Sequence, residues 1–329
     1  MADKHKVWIS KTDRDLNREM EKALGWLDWP SIIASGARVA IKPNLTYPIP
    51  KDGVTTTPIA LEALIQILTS RSGNLAVVES DGGSNAFTAD EAFAGHGIDR
   101  IARRYGIRAV NLSRERTRKM SATIGGRRVE VELPLILTDE TDVFITMPVP
   151  KVHMMTGVSL GFKNQWGCLP DPKRLREHHE FARKVLAINT ILKPQLTIFD
   201  GTYFLDRGGP LAGNPIGKNL VIASRNTGAG SLLCCEVMGV DPRRITHLRL
   251  AIAEKMMPAS LSEIQSNTEI AQFKGAPFTL HRGWSQWLTL GVFRSRLATI
   301  MLYDSRLARP AHRLLYFFRG QPAEYLPKW

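Results

Sequence analysis

Short apolar runs rich in valine and isoleucine recur along the chain at KVWIS, ARVAIKPNL, NLAVVESDGG, IRAVNL, DVFITMPV, LTIFDG and NLVIAS. Between most of them, as in 58–71 and 174–192, apolar residues return every three or four positions, the period of a helix with one buried face. Strands alternating with helices predict an α/β fold: a mainly parallel central sheet flanked by helices. One stretch breaks the alternation. MSATIGGRRVEVELP has period-two patterning on both sides of Gly125 and Gly126, which predicts an inserted β-hairpin with a tight turn. The composition shifts near Pro277, dividing the chain into an α/β domain (1–276) and a basic, apolar, helical C-terminal extension (277–329).

In a parallel α/β sheet, ligands bind beyond the carboxyl ends of the strands. Polar groups stand there in quantity: Lys42 and Asn44 after the second strand, Glu79 and Asp81 after the third, Lys151 and His153 after DVFITMPV, Asp200 after LTIFDG and Ser224 after NLVIAS. Lys163 and Asn164 follow in GFKN. A lysine near a strand end often only snorkels to the surface. Three together could hold a carboxylate or phosphate, and their mutual repulsion would lower one pKa enough for base or Schiff-base chemistry. His153 could be a general base, a metal ligand or a space-filling ring. On a helix, His178 and His179 would point about 100° apart, so at most one of the two would face the site.

Asp81, Asp200 and Asp206 offer oxygen ligands of the kind that suit Mg²⁺, which a substrate's phosphates would complete. Asp81 could equally cap a turn. The glycines of Gly82-Gly83 and Gly208-Gly209 would let backbone amides approach an anion. No standard nucleotide-binding loop and no GxSxG elbow occurs.

Composition narrows the class. The chain has 329 residues, 43% of them hydrophobic, enough for a sizeable core. Its three cysteines support neither a disulfide framework nor an iron-sulfur cluster, and no apolar run reaches membrane-spanning length, so a cytoplasmic protein is expected. The formal net charge of +13 favours anionic partners. Much of the excess lies late, where Arg282, Arg294, Arg296, Arg306, Arg309, Arg313, Arg319 and Lys328 face only Asp304 and Glu324. Mixed with Trp and Leu, these arginines could make a peripheral membrane contact through 281–319, or the helices could pack on the domain or on a homodimer partner. Arginine pairs elsewhere are scattered and carry no nucleic-acid signature.

The ordered set IKPNL, TTTP, PKVHMMTGVSLGFKN, the HH pair, FDGTYFLDRGGPLAGNP and VIAS resembles the domain of unknown function 362 family from about Val39 to Leu250. That family is distantly similar to the N-terminal domain of lactate racemase, which handles a small hydroxy acid among lysines, histidines and a nickel cofactor. Only the idea of an anionic substrate among Lys and His carries over. The ferredoxin-like cysteine module of many relatives is missing, and Ser231 stands where relatives usually have aspartate.

The resulting expectation is an enzyme that acts on an anionic small molecule, a carboxylate or a phosphate or diphosphate. Lys151, His153 and Lys163 would assist proton transfer in isomerisation, cyclisation or lyase chemistry. Lys42, Asn44, Thr57 (from TTTP), Asn164, His178, Gly209 and Ser224 would bind substrate, with Asp81, Asp200 and Asp206 on any Mg²⁺. The alternative is a non-catalytic anion-binding or membrane-surface module.

Overall fold

A computed structural model describes residues 4–12 and 15–303. Among them run β1 (His5–Lys11), β2 (Val39–Pro43), β3 (Leu75–Glu79), β4 (Arg108–Asn111), β5 (Thr117–Ile124), β6 (Arg127–Pro134), β7 (Val143–Met147), β8 (Lys151–His153), β9 (Gly157–Ser159), β10 (Leu196–Asp206), β11 (Asn214–Ser224) and β12 (Ile264–Ser266). One sheet has the order β12-β1-β11-β10-β7-β2-β3-β4, with β8 beside β10 and β9 beside β8. β10, β7, β2, β3 and β4 are parallel neighbours. β11 runs against both β10 and β1.

Parallel strands must be covered on both faces, and β2, β3 and β7 are accordingly buried at every position. On one face the helices Leu16–Trp26, Pro58–Thr69, Ala89–Gly95 and Ile98–Tyr105 bring Leu24, Leu64, Leu68 and Phe93 against Ile41, Val77 and Ile145. On the other, the helices Phe181–Leu192, Thr227–Met238 and Thr246–Ala253 and the β5–β6 hairpin enclose Phe144, Phe162, Leu186 and Phe199. The result is a three-layer α/β fold with an inserted hairpin and C-terminal helices. The hairpin turn pairs Ile124 with Arg127, and Gly125 and Gly126 both have positive φ (59° and 69°), the backbone that a tight primed turn requires.

Two sequence expectations need correction. The helix expected over 174–192 begins only at Phe181; Arg174–Glu180 is a 3₁₀ segment, which lets Arg174 turn back to the Asp81 carbonyl (2.8 Å). NLVIAS is a strand but runs antiparallel. Only residues 207–213 separate β10 from β11, too few for the crossover that a parallel strand needs.

Past Pro277 the chain lies along the domain. Phe278 donates its N–H to the Met238 carbonyl (2.8 Å), Thr279 to the Asp206 carboxylate (2.7 Å), and the Arg282 side chain to the Met154 carbonyl (2.7 Å). Helices Trp284–Phe293 and Arg296–Tyr303 follow, and both pack against 174–180. The last part of the extension, 304–329, lies outside the described residues, as does part of the expected membrane contact.

The tightest backbone approach is at Gly209, where an added Cβ would stand 1.9 Å from the Val152 carbonyl oxygen of β8. Gly209→Ala should therefore lower stability by about 1–3 kcal/mol in urea unfolding. Gly73→Ala, where nothing lies within 4 Å, should leave the midpoint unchanged.

Candidate functional site

The sheet drives Lys42 into the interior. It sits next to last in β2, opposite Thr146 of β7, and is 1% exposed. Its Nζ donates to Glu79 Oε2 at 2.6 Å and to the Pro43 carbonyl at 2.9 Å. Glu79, which ends β3, also accepts the N–H groups of Leu45 and Ser80 (both 3.1 Å). The backbone of Gly167 closes over this ion pair: a Cβ there would lie 2.8 Å from Glu79 Oε1 and 2.9 Å from Lys42 Nζ.

Lys151 opens β8 and is likewise 1% exposed, its Nζ donating to the Val54 carbonyl at 2.5 Å. Lys163 rises from the helical turn Gly161–Asn164, with its Nζ 5.7 Å from the Phe181 ring centre. Among the described residues no carboxylate pairs with Lys151 or Lys163. Neither Lys42 nor Lys151 snorkels. With Asn44, Asn164, Arg174 and Trp166 these lysines line a cavity of about 100 Å³.

One carboxylate thus faces four cationic side chains, and the imbalance shows in their ionisation. Burial, then the nearby charges of Lys163 and Lys42, push Lys151 well below the usual lysine value. Burial, reinforced by Arg174 and Lys42, lowers Lys163 to about 7. Burial and then Lys163 hold His178 and His247 at about 3, and His153 is also pushed well down, so all three rings are neutral near pH 7. Met155 donates its N–H to His153 Nδ1 (3.1 Å), which leaves the ring proton on Nε2.

A buried polar chain fixes the lysine-bearing turn. Asn164 Nδ2 donates to the Lys42 carbonyl (3.0 Å) and to Thr146 Oγ1 (2.8 Å); Thr146 donates to Gln165, and Gln165 to Asn189. Asn189 in turn donates to the Phe162 and Val185 carbonyls. Residues 167–174 then lie across the strand ends, held where Ser80 donates to the Gly167 carbonyl and Ser113 to the Pro170 carbonyl (both 2.6 Å).

Of the residues picked out in the sequence, Lys42, Asn44, Lys151, Lys163 and Asn164 share this cavity. His153 is buried beside Lys163 and Lys151 but does not line it. His178 lines a separate, larger cavity. Thr57 is a helix cap that also donates its N–H and hydroxyl to Asp200 Oδ2 (2.6 and 2.7 Å). Ser224 stands at the far rim, paired with Thr197 near the start of β10, because β11 is antiparallel. Gly209 admits the Val152 backbone rather than an anion.

The three aspartates do not come together. Asp200 accepts from Thr57 and Thr202, Asp81 from Ala89 N–H (2.8 Å) and Asn111, and Asp206 from the N–H groups of Arg207 and Thr279. No group of three His, Cys, Asp or Glu side chains placed to hold a metal ion occurs among the described residues. These carboxylates pin backbone N–H groups and neighbouring hydroxyl and amide side chains, and they do not fit as a Mg²⁺ site.

The model of the domain of unknown function DUF362 matches residues 39–236. The chain belongs to this family. All four cations and Glu79 lie within the DUF362 match. A thylakoid-associated protein of Synechocystis is 25% identical over 224 residues, 65% of this chain and 67% of its own. A Thermotoga maritima protein of known crystal structure aligns with 58% of this chain and 51% of its own length, at 14% identity and a TM-score of 0.38.

Sequence reasoning missed Arg174 and Trp166 as cavity residues. Arg174 read as one more charge at a helix start. The DUF362 position held here by Ser231 is buried; its hydroxyl donates to the Thr227 carbonyl (2.7 Å) and abuts Gly161, at the foot of the Lys163 turn.

Removing one member of a buried ion pair strands the other. Glu79→Gln should therefore cost about 3–5 kcal/mol in chemical denaturation. Exchange at the exposed pair Arg38–Asp142, as Asp142→Asn, should cost under about 1 kcal/mol.

Proposed function

We propose that this DUF362 protein is an enzyme that holds the acidic group of a small molecule among Lys42, Lys151, Lys163 and Arg174 and moves a proton with Lys163. The observation that carries this reading is a cavity lined by two lysines, Lys151 and Lys163, that have no carboxylate partner among the described residues. Folding does not bury unpaired ammonium groups without cost, and an incoming carboxylate or phosphate supplies the missing charge.

The roles divide by ionisation. Arg174 and Lys42, the latter held by Glu79, position the acid. Lys163, lowered to about 7, exchanges a proton near neutral pH, the property that a general base needs. The same neutral amine could attack a carbonyl to form a Schiff base, with water leaving. His153, neutral and protonated on Nε2, lies outside the cavity lining and is not given the role of the base. Isomerisation, lyase or cyclisation chemistry fits such a set without electron transfer.

A second reading, an anion-binding module on a membrane surface, is favoured by the outer face of the C-terminal helices. There Trp287 and Leu297 are 58% and 74% exposed beside exposed Arg294 and Arg296. The thylakoid association of the Synechocystis relative points the same way. No described helix is long and apolar enough to cross a membrane. Sedimentation with anionic vesicles that is lost in Trp287→Ser/Leu297→Ser would support this reading; absence of sedimentation would end it.

For the enzymatic reading, inorganic phosphate and acetate are titrated calorimetrically. Lys151→Ala and Lys163→Ala should each weaken binding by about 2–5 kcal/mol, with Lys163→Arg retaining most of it. Wild-type affinity for acetate, which is fully ionised in this range, should fall as pH rises through about 7, because Lys163 sheds its proton there, and Lys163→Arg should abolish that dependence. Equal affinity in all variants would place the acid elsewhere.

A further inference from the structure

Buried polar side-chain atoms without a hydrogen-bond partner are rare in folded proteins, and each calls for an explanation. Among the described residues, one such atom belongs to a residue that lines the cationic cavity: Nε1 of Trp166. Trp166 is 6% exposed, and Nε1 is the only polar atom of its side chain. An indole N–H donates and cannot accept. Its partner must therefore be an acceptor.

The chain holds this ring in place from both sides. Trp166 lies in the short 3₁₀ turn Gln165–Cys168. Before it, Gln165 accepts from Thr146 (3.1 Å) and donates to Asn189 (2.9 Å), which anchors the turn in the buried polar chain. After it, the Gly167 carbonyl accepts from Ser80, and the Gly167 backbone closes over the Lys42–Glu79 pair. The indole itself packs on Phe181 and His178, at 5.0 and 5.7 Å between ring centres. Turning Nε1 out to solvent would break these ring contacts. A donor fixed in this way costs little further ordering when a ligand arrives.

The neighbours on the cavity wall decide what the indole meets. Lys151, Lys163 and Arg174 carry donors only, as Trp166 does. Glu79, the carboxylate on the same wall, is taken up by Lys42 Nζ and by the N–H groups of Leu45 and Ser80. We infer that Trp166 is a further ligand-binding residue of this site, its indole N–H donating to an oxygen of the carboxylate or phosphate held among the cations. This rests on the acid-binding reading above and adds a contact of a different kind to it. The indole keeps its proton throughout the range in which Lys163 loses one, so its contribution to binding does not change with pH.

The test is an NMR titration of the full chain, labelled with ¹⁵N on its seven tryptophans, with inorganic phosphate and with acetate. The indole signal missing from Trp166→Phe should move downfield as either acid saturates the protein, as a proton does on entering a hydrogen bond to an anion. In calorimetry, Trp166→Phe, checked for folding by circular dichroism, should bind that acid more weakly by on the order of tenfold to a hundredfold, the loss expected of one hydrogen bond to a charged group. The fall in acetate affinity through about pH 7 should survive in Trp166→Phe, because Lys163 is untouched. The wild-type titration decides without any variant: acid binding with all indole signals unmoved overturns the inference and leaves the acid site standing. Affinity equal to wild type in a folded Trp166→Phe also overturns it. Binding of neither acid to the wild-type chain overturns both readings.

Discussion

Among the described residues, Glu79 is the single carboxylate lining a cavity that Lys42, Lys151, Lys163 and Arg174 also line, and the chemistry of the carboxyl-end rim turns on that imbalance. The Lys42–Glu79 pair makes burial of the first lysine tolerable, because each partner satisfies the other and Glu79 collects two further backbone donors. Among the described residues, no carboxylate serves Lys151 and Lys163 in this way. Their burial is compensated by lowered proton affinity instead, which makes Lys163 available near pH 7.

Rigidity around the cavity keeps these groups from escaping to water. The polar chain from Asn164 through Thr146 and Gln165 to Asn189 ties the lysine-bearing turn to β2, β7 and the helix Phe181–Leu192. The loop 51–57 closes the other side, where Val54 accepts from Lys151, Thr56 donates to the Met147 carbonyl and Thr57 binds Asp200. On the proposed reading, such preorganisation keeps the ordering cost of acid binding small.

Much of this was legible in the sequence, for a physical reason: strand ends in a parallel sheet share one rim, so Lys42 and Lys151, far apart in the chain, were expected together. The rule failed at Ser224, since an apolar run carries no direction and only the short connection at 207–213 reveals the reversal. Thr57, Asp200 and Gly209 belong to the same motifs as the lysines, yet they serve caps and close backbone contact. A motif alone does not separate a residue that touches a ligand from one that shapes the loop. Arg174 was illegible because its role depends on a 3₁₀ turn where the pattern of apolar residues read as a regular helix.

The central claim is that Lys163 is a partly buried amine poised near neutrality by desolvation, reinforced by the charges of Arg174 and Lys42. Competitive acetylation across pH, read by peptide mass spectrometry, reports the protonation midpoint of each lysine. The account predicts a Lys163 midpoint of about 7 in the free protein, moving upward when saturating phosphate supplies the missing negative charge. A midpoint at the ordinary lysine value, about 10.4, with and without phosphate would contradict it.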